Sequence, residues 1–547
     1  MSHLRWFILP VLLALAWFTP RLGDHWFGRM ERFALRFSTR KRAILTTSLV
    51  AIVARLALLW AIPVPVPAVH DEFSYLLQAD TFLHGRLTNP PHPMWVFLDT
   101  FHVLQHPTYQ SVYPPAQGAA LAVGQLLGHP WIGVLLSMAA MCAALTWMLQ
   151  GWFPASWALL GGVLVLLRIC LFTYWLDSYW GGAVAAAGGA LVLGAFPRII
   201  HSRRTRHVVV MGIGMGLLAN SRPLEGLIFC IPVIAALLIW LVSNHKDLLT
   251  ITGPRVLLPL LGVLALTLVF MGYYNWRVTQ DIFVFPRALY QRERLNFPVF
   301  SWQPPKTPLH YSNPQFEDFY NVATPELYSQ PWSRLSLETC RRWWLFFVGG
   351  SLSIPLLTLP WILKDRRCRL PLVQFLWCAL GLLVVNYFFP HYSAPLVAAI
   401  FILIVQGMRH LRHWEPRGRP VGIFLTRLVV ILALTRTVLD AKEYWHHVAP
   451  WSSHRAEIAD KLEATPGNHL VVVRYAPSHF VGHEWVYNAA DIDHSRIVWA
   501  REIPGRDLKP LLEYFKDRMV WVVEADALPP KLEEYQGSVA QSDFRLH

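Results

Sequence analysis

Two adjacent carboxylates, Asp71 and Glu72, stand in the stretch His70-Asp71-Glu72-Phe73-Ser74-Tyr75. A positioned carboxylate takes the proton from a hydroxyl that is otherwise a poor nucleophile at neutral pH, a contribution of roughly 10²–10⁴-fold. Further along are Asp177 in Leu176-Asp177-Ser178, Arg222 in Asn220-Ser221-Arg222-Pro223, His391 and Tyr392 after Pro390, and the group Arg287, Arg292 and Arg294. A guanidinium binds phosphate through a planar fork and stays charged at every working pH. Acids and guanidiniums brought to one place would suit a base acting beside an anionic substrate. Each residue also has a plainer reading. Asp71 and Glu72 fit solvated loop charges, Asp177 between Trp175 and Trp180 fits an interfacial charge, and His391 fits a helix cap. Arg222 fits a snorkelling anchor, and the three later arginines fit a solvated face.

The elements that must position these residues are membrane helices. Of 547 residues 54% are hydrophobic and 15% charged, well below the quarter or so of charged residues in a soluble domain. Crossing a bilayer takes about 20 mostly apolar residues. Residues 6–19 are apolar but short and lack a small-residue cleavage site after them, which argues against a signal peptide. The basic segment 21–42 belongs in the cytoplasm by the positive-inside rule, so residues 1–42 form an N-terminal helix and cytoplasmic segment. The first confident span, 43–62, then runs outward and delivers Asp71 and Glu72 to the outer face.

Residues 43–439 read as an α-helical polytopic bundle of about 11–12 transmembrane helices, with long outer loops at 63–128 and 275–340. After the first span, spans are expected at 130–150, 155–172, 180–197, 207–220, 224–243, 255–274, 343–362, 370–389, 391–408 and 420–438. The apolar piece 116–128 reads as a helix lying at the membrane surface. Arg198, Arg203, Arg204 and Arg206, Lys246, and Lys364 to Arg369 collect in the inner connections. This accounts for the net charge of +14 as topology rather than as a nucleic-acid stripe. From 440 to 547 the composition changes. Apolar runs 469–473, 496–499 and 519–523 read as buried strands, with helices at 453–464 and 507–516, giving a small α/β domain on the outer side. The six cysteines, all in or beside apolar segments, read as core residues. His479, His483, Glu484, Asp491, Asp493 and His494 invite a metal reading, but Pro477 and Gly482 make the segment a loop, so packing or acceptor recognition is the better expectation.

The ordered set of motifs resembles the GT-C superfamily of integral-membrane glycosyltransferases, especially the branch of protein O-mannosyltransferases and lipid A aminoarabinose transferases. The matching pieces are HDEFSYLLQADTFLHGRL, YPPAQGAALAVGQLLG, YWLDSYWGG, GLLANSRPLEG and FPHYSAPLVAAI, in order over roughly residues 43–410. The resemblance implies transfer of a sugar, with inversion, from a polyprenyl-phosphate donor to a hydroxyl on the outer side of the cell inner (plasma) membrane. It implies Asp71 as the catalytic acidic residue, with Glu72 beside it, and Asp177 as the acid of the second outer loop. Arg222 stands where many members have a lysine facing the donor phosphate, and His391 and Tyr392 match the late His-Tyr pair. The family's Lys-Pro-Pro reads Tyr113-Pro114-Pro115 here, so one phosphate contact is lost or has moved; Arg287, Arg292 or Arg294 is the expected replacement.

The implied partners are the lipid-linked donor, the bilayer, and a lipid, glycan or protein acceptor, with no nucleic acid. The cofactor stays open: the acids have the chemistry to hold a divalent ion, and nothing in the sequence requires one. Two other classes fit a polytopic chain. A lipid or polyprenol transporter or flippase predicts repeated halves and charges near mid-membrane, and a non-catalytic envelope assembly protein keeps the cage without the chemistry.

Overall fold

The computed structural model describes residues 2–244, 248–295, 298–304, 307–311, 313–325, 331–386, 388–444 and 450–535; Lys246 and the end of the C-terminal domain lie outside them. The first half runs α1 (Ser2–Phe18), α2 (Asp24–Leu35), α3 (Arg40–Ala57), α4 (His70–Leu83), α5 (Trp95–Leu98), a two-stranded ribbon of β1 (Val103–Leu104) and β2 (Gln110–Ser111), and α6 (Pro115–Leu126). It continues through α7 (Pro130–Trp152), α8 (Ala155–Val165), α9 (Ala183–Ser202), α10 (Thr205–Ala219), α11 (Pro223–Ser243), α12 (Leu258–Thr279) and α13 (Pro286–Arg294).

Among the described residues six helices are long and apolar enough to cross a membrane, or seven if the bent pair Trp332–Phe347 and Ser351–Lys364 counts as one span. The chain is thus a multi-pass membrane protein. The expectation of about eleven spans counted shorter pieces. Ala155–Cys170 and Thr205–Ala219 are apolar but under the length of a straight crossing, and α3 carries Arg40, Lys41, Arg42 and Arg55 within its 18 residues. The Trp332 and Ser351 pieces meet at 103°. The bundle is tight where glycines let backbones touch: a Cβ on Gly133 would sit 2.1 Å from the Ala120 carbonyl oxygen, and one on Gly124 would sit 2.1 Å from the Gly133 nitrogen. These contacts seat α6 against α7. The segment read as a surface helix is therefore half-swallowed: Pro115, Gln117, Gly118, Leu121, Ala122 and Gly124 are buried. The surface reading rests on its shortness and on the break at His129-Pro130; its small residues are what allow the close approach.

The C-terminal unit is a four-stranded sheet of order β4-β3-β5-β6, built from β3 (His469–Arg474), β4 (Ile497–Arg501), β5 (Met519–Glu524) and β6 (Lys531–Glu534). β3, β4 and β5 are parallel and β6 closes the edge antiparallel. The predicted strands lie within two residues of β3, β4 and β5 at every end; β6, a charged Lys-Leu-Glu-Glu edge strand, has no apolar run to reveal it. One face of the sheet packs on helix Pro450–Ala464 through Val471, Val473, Trp499 and Leu462. The other face packs on α4 and α5, as Leu77, Phe97 and Leu98 join Leu470, Val472 and Val498 in one core.

Candidate active site

α4 starts at His70 after an extended segment that follows α3, and three groups fix that start. Arg55, fully buried in the last turn of α3, donates to the carbonyls of Ile62 (2.8 Å) and Pro63 (3.0 Å) and to Asp177 Oδ1 (2.9 and 3.1 Å). Its guanidinium also lies 4.9 Å from the Trp131 ring centroid. Glu72, itself buried, accepts the Ala68 N–H (2.7 Å) and Val69 N–H (3.0 Å) at one oxygen and the Tyr179 N–H (2.9 Å) at the other. Burial pushes the Glu72 carboxyl up to about 7, against the pull of those N–H donors. Glu72 and Asp177 Oδ1 thus join the loop of 173–182 to the entry of α4. The sequence reading grouped them with Asp71 as catalytic; here they hold main-chain and guanidinium donors around the entry of α4.

Asp71, one residue before Glu72 on the helix, accepts a hydrogen bond from the Tyr113 hydroxyl. Burial, and then the Asp71 charge, hold the Tyr113 phenol well above its ordinary range, so it stays a donor. The Tyr113 ring stacks on Tyr75 at 4.5 Å. Its carbonyl accepts from Gln78 Nε2, which also reaches Tyr274 Oη. Pro114 and Pro115 then open α6, where a prolyl ring supplies the helical φ and lacks only an N–H that a first turn leaves unpaired. The next N–H, of Ala116, donates to the Asn220 carbonyl at 2.9 Å. That single bond carries the Tyr113 turn to the Asn220-Ser221-Arg222 turn between α10 and α11.

A cavity of about 350 Å³ opens there, lined on its polar side by Tyr113, Arg222, Glu225, Asn275, Arg287 and Tyr392. Leu224, Met271, Phe285 and Val385 line its apolar side. Arg222 lies 4.6 Å over the Tyr392 ring and Arg287 lies 5.9 Å over the Tyr113 ring. Among the described residues no carboxylate oxygen comes within 4.0 Å of Arg222. His391 is buried behind Tyr392, its ring 4.6 Å away edge-on, and its Nδ1 meets the Tyr174 hydroxyl at 2.9 Å. The structure therefore brings together Asp71, Tyr113, Arg222, Arg287 and Tyr392, with His391 in support.

It does not bring in the other two arginines. Arg292 is exposed on α13. Arg294 is paired with Asp99 at 2.7 Å, locking α13 to the end of α5. On the helix Arg292, five positions on, projects about 140° away from Arg287, while Arg294, seven positions on, shares its face two turns farther along, where Asp99 takes it up.

His102 is a residue the sequence reading missed. It sits at φ 60°, a conformation rare outside glycine and worth a functional question. Ser74 Oγ holds its carbonyl at 2.6 Å, and its own N–H donates to the Tyr290 hydroxyl at 2.9 Å. Its Nδ1 is 3.5 Å from Arg287 Nη1. Burial drives the imidazole down to about 3, so it is neutral beside Arg287. No motif marks a histidine in an irregular loop; only the fold discloses it.

Among the described residues no group of three or more His, Cys, Asp or Glu lies close enough together to hold a metal ion. The polar wall of the cavity carries two guanidiniums and one carboxylate, a donor set suited to an anion rather than to a protein-held cation. In the C-terminal unit His479 pairs with Asp526 and His494 with Asp491, apart from one another.

Neither protein-family models nor curated proteins match this sequence. Solved structures do. The chain is similar to ArnT from Cupriavidus metallidurans bound to undecaprenyl phosphate, at 14% identity over 88% of this chain and 92% of that one, with a TM-score of 0.50. The apo state of the same protein gives 14% identity over 87% and 93%, at TM-score 0.47. The oligosaccharyltransferase of Archaeoglobus fulgidus, tethered with an acceptor peptide, gives 11% identity over 88% and 69%, at TM-score 0.42. The likeness shows the fold alone: the chain shares the fold of that ArnT structure over 88% of its length.

Proposed function

We propose that the chain is a membrane glycosyltransferase that moves a sugar from a polyprenyl-phosphate donor to a hydroxyl on the outer face of the cell inner membrane. One observation carries the reading: Asp71 reaches, through Tyr113, the wall of a cavity that holds Arg222 and Arg287 and continues into an apolar flank. Two features support it. The fold is shared with ArnT, whose structure contains undecaprenyl phosphate, and the five motifs fall in family order. In this topology the basic segment of α2 and the start of α3 is cytoplasmic, and the Asp71 site and the C-terminal unit are periplasmic or extracytoplasmic.

The chemistry follows from the groups present. The donor phosphate lies against Arg222 and Arg287, with its lipid along the Met271, Leu224 and Val385 flank. Asp71 takes the proton of the acceptor hydroxyl as its oxygen bonds to the anomeric carbon. The bond from that carbon to the phosphate oxygen breaks on the opposite side, and the electron pair leaves with polyprenyl phosphate, giving inversion. A phosphate leaving group is a weak base and needs no general acid; it needs its growing charge met by fixed cations, which water-poor surroundings strengthen. Tyr113 occupies the position of the family's lysine and keeps the base in place, while Arg287 supplies the charge that lysine would have brought. The acceptor is a lipid, a glycan or a protein hydroxyl.

The test is to incubate the purified protein with a panel of polyprenyl-phosphate sugars and an envelope extract, and to follow free polyprenyl phosphate and the anomeric form of the product. Release with an inverted anomer supports the reading. Absence of release with every donor moves the weight to a carrier or an assembly protein.

A further inference from the structure

The C-terminal unit shares its core with the helix that bears Asp71. α4 is packed on two sides: Tyr75 and Ala79 belong to the transmembrane core, and Leu77 belongs to the core of the sheet with Leu470, Val472 and Val498. Neither side of the helix is spare. Beyond this apolar seam, the segment 481–490 runs along α4 and grips it at each turn. The Val481 carbonyl accepts from His70 Nε2 at 2.9 Å, one residue from Asp71. The Tyr487 ring lies flat on Phe73, with centroids 4.1 Å apart and planes 4° from parallel. The Ala490 N–H donates to Asp80 at 2.7 Å.

This segment is held rigid by a buried pair. Glu484 is bound by Arg501 of β4, both below 2% exposed, and it accepts the Tyr475 hydroxyl (2.5 Å) and the Val486 N–H (2.8 Å). Arg501 also reaches Gln315 of the second outer loop at 3.3 Å. A buried pair of this kind contributes little net stability but fixes one arrangement, because every alternative leaves a buried charge unpaired.

We propose that the C-terminal α/β unit is a positioning element of the active site: the 481–490 segment, locked by Glu484 and Arg501, sets the height and tilt of α4 and hence the reach of Asp71. The proposal rests on the transferase reading for its catalytic consequence and on packing alone for its mechanical one. Tyr487 is the positioning residue that reports it most cleanly. Its ring, not its hydroxyl, makes the contact with Phe73.

The experiment compares full-length wild type with Tyr487→Phe, Tyr487→Ala and Asp80→Ala, each reconstituted in lipid nanodiscs. Amide hydrogen exchange over residues 70–83 reads the coupling without any need for activity. Exchange there should rise at least tenfold in Tyr487→Ala and Asp80→Ala and stay at the wild-type rate in Tyr487→Phe, while α7 and α9 are unchanged. Turnover, measured with a donor that wild type consumes, should fall at least tenfold in kcat in Tyr487→Ala, with KM for the lipid donor within twofold and full recovery in Tyr487→Phe. Unchanged exchange in α4 in both alanine variants overturns the proposal whatever the activity. A parallel loss of kcat and donor affinity overturns it too, since it marks general collapse of the fold. Raised exchange in α4 with no turnover by wild type on any donor would sustain the mechanical coupling and overturn the transferase reading alone.

Discussion

Glu72→Gln tests the clasp that holds the entry of α4. The carboxylate spends both oxygens on main-chain donors: Ala68 and Val69 on one, Tyr179 on the other. Glutamine keeps the shape and one oxygen. If that oxygen stays on Ala68 and Val69, the amide NH₂ faces the Tyr179 N–H and a buried donor loses its partner, at about 1–3 kcal/mol. The native carboxyl adds a pH dependence. Its affinity for a proton is raised from 4.5 to about 7, mainly by burial. The native state then binds the proton more tightly than the unfolded chain. Stability falls as pH rises through this window, by about 3 kcal/mol in full. Glutamine has no such term. The variant should therefore be less stable than wild type near pH 5, and the gap should close or reverse by about pH 8. Reversible unfolding in mixed detergent micelles across that range measures it. A gap that stays constant with pH would refute the raised carboxyl, and no gap at any pH would refute the clasp.

Three further outcomes follow from the geometry. Arg222→Gln and Arg287→Gln each remove a cation from the cavity and should weaken binding of polyprenyl phosphate by about tenfold or more, while Arg292→Gln, on an exposed position, should change it less than twofold; equal losses in all three would undo the assignment. Arg55→Met strands Asp177 in a buried site and should cost about 3–5 kcal/mol of stability, part of it recovered by adding Asp177→Asn; no recovery in the double variant, read by the same micelle unfolding, would contradict the pairing. His102→Gly suits the φ of 60° but removes the imidazole beside Arg287, so it should keep the thermal midpoint and raise KM for the donor.

Much of this architecture was legible in the residues. Asp71 follows the first apolar run and stands in the first turn of a helix, and β3, β4 and β5 announce themselves as apolar runs. What escaped has physical reasons. Arg55 lies inside an apolar helix, where sequence shows a costly charge but not the Asp177 that meets it 122 residues later. Glu72 and Asp71 are adjacent in sequence, yet neighbouring positions on a helix project about 100° apart, so one turns to Tyr113 and the other to the backbone of 68–69 and 179. α6 reads as a surface helix because its apolar stretch is short and breaks at His129-Pro130, and shortness hides that Gly124 and Gly133 let α6 and α7 touch. The sheet seemed a separate unit beyond residue 440, and nothing local shows that Leu77, Phe97 and Leu98 complete its core.

The measurement that bears most directly on the central claim is single-turnover release of polyprenyl phosphate by wild type and Asp71→Asn, with donor binding determined on the same samples. Loss of a positioned base predicts a fall of about a hundredfold or more, with donor affinity kept, since Arg222 and Arg287 are untouched. Release at the wild-type rate in the Asp71→Asn protein would contradict the account.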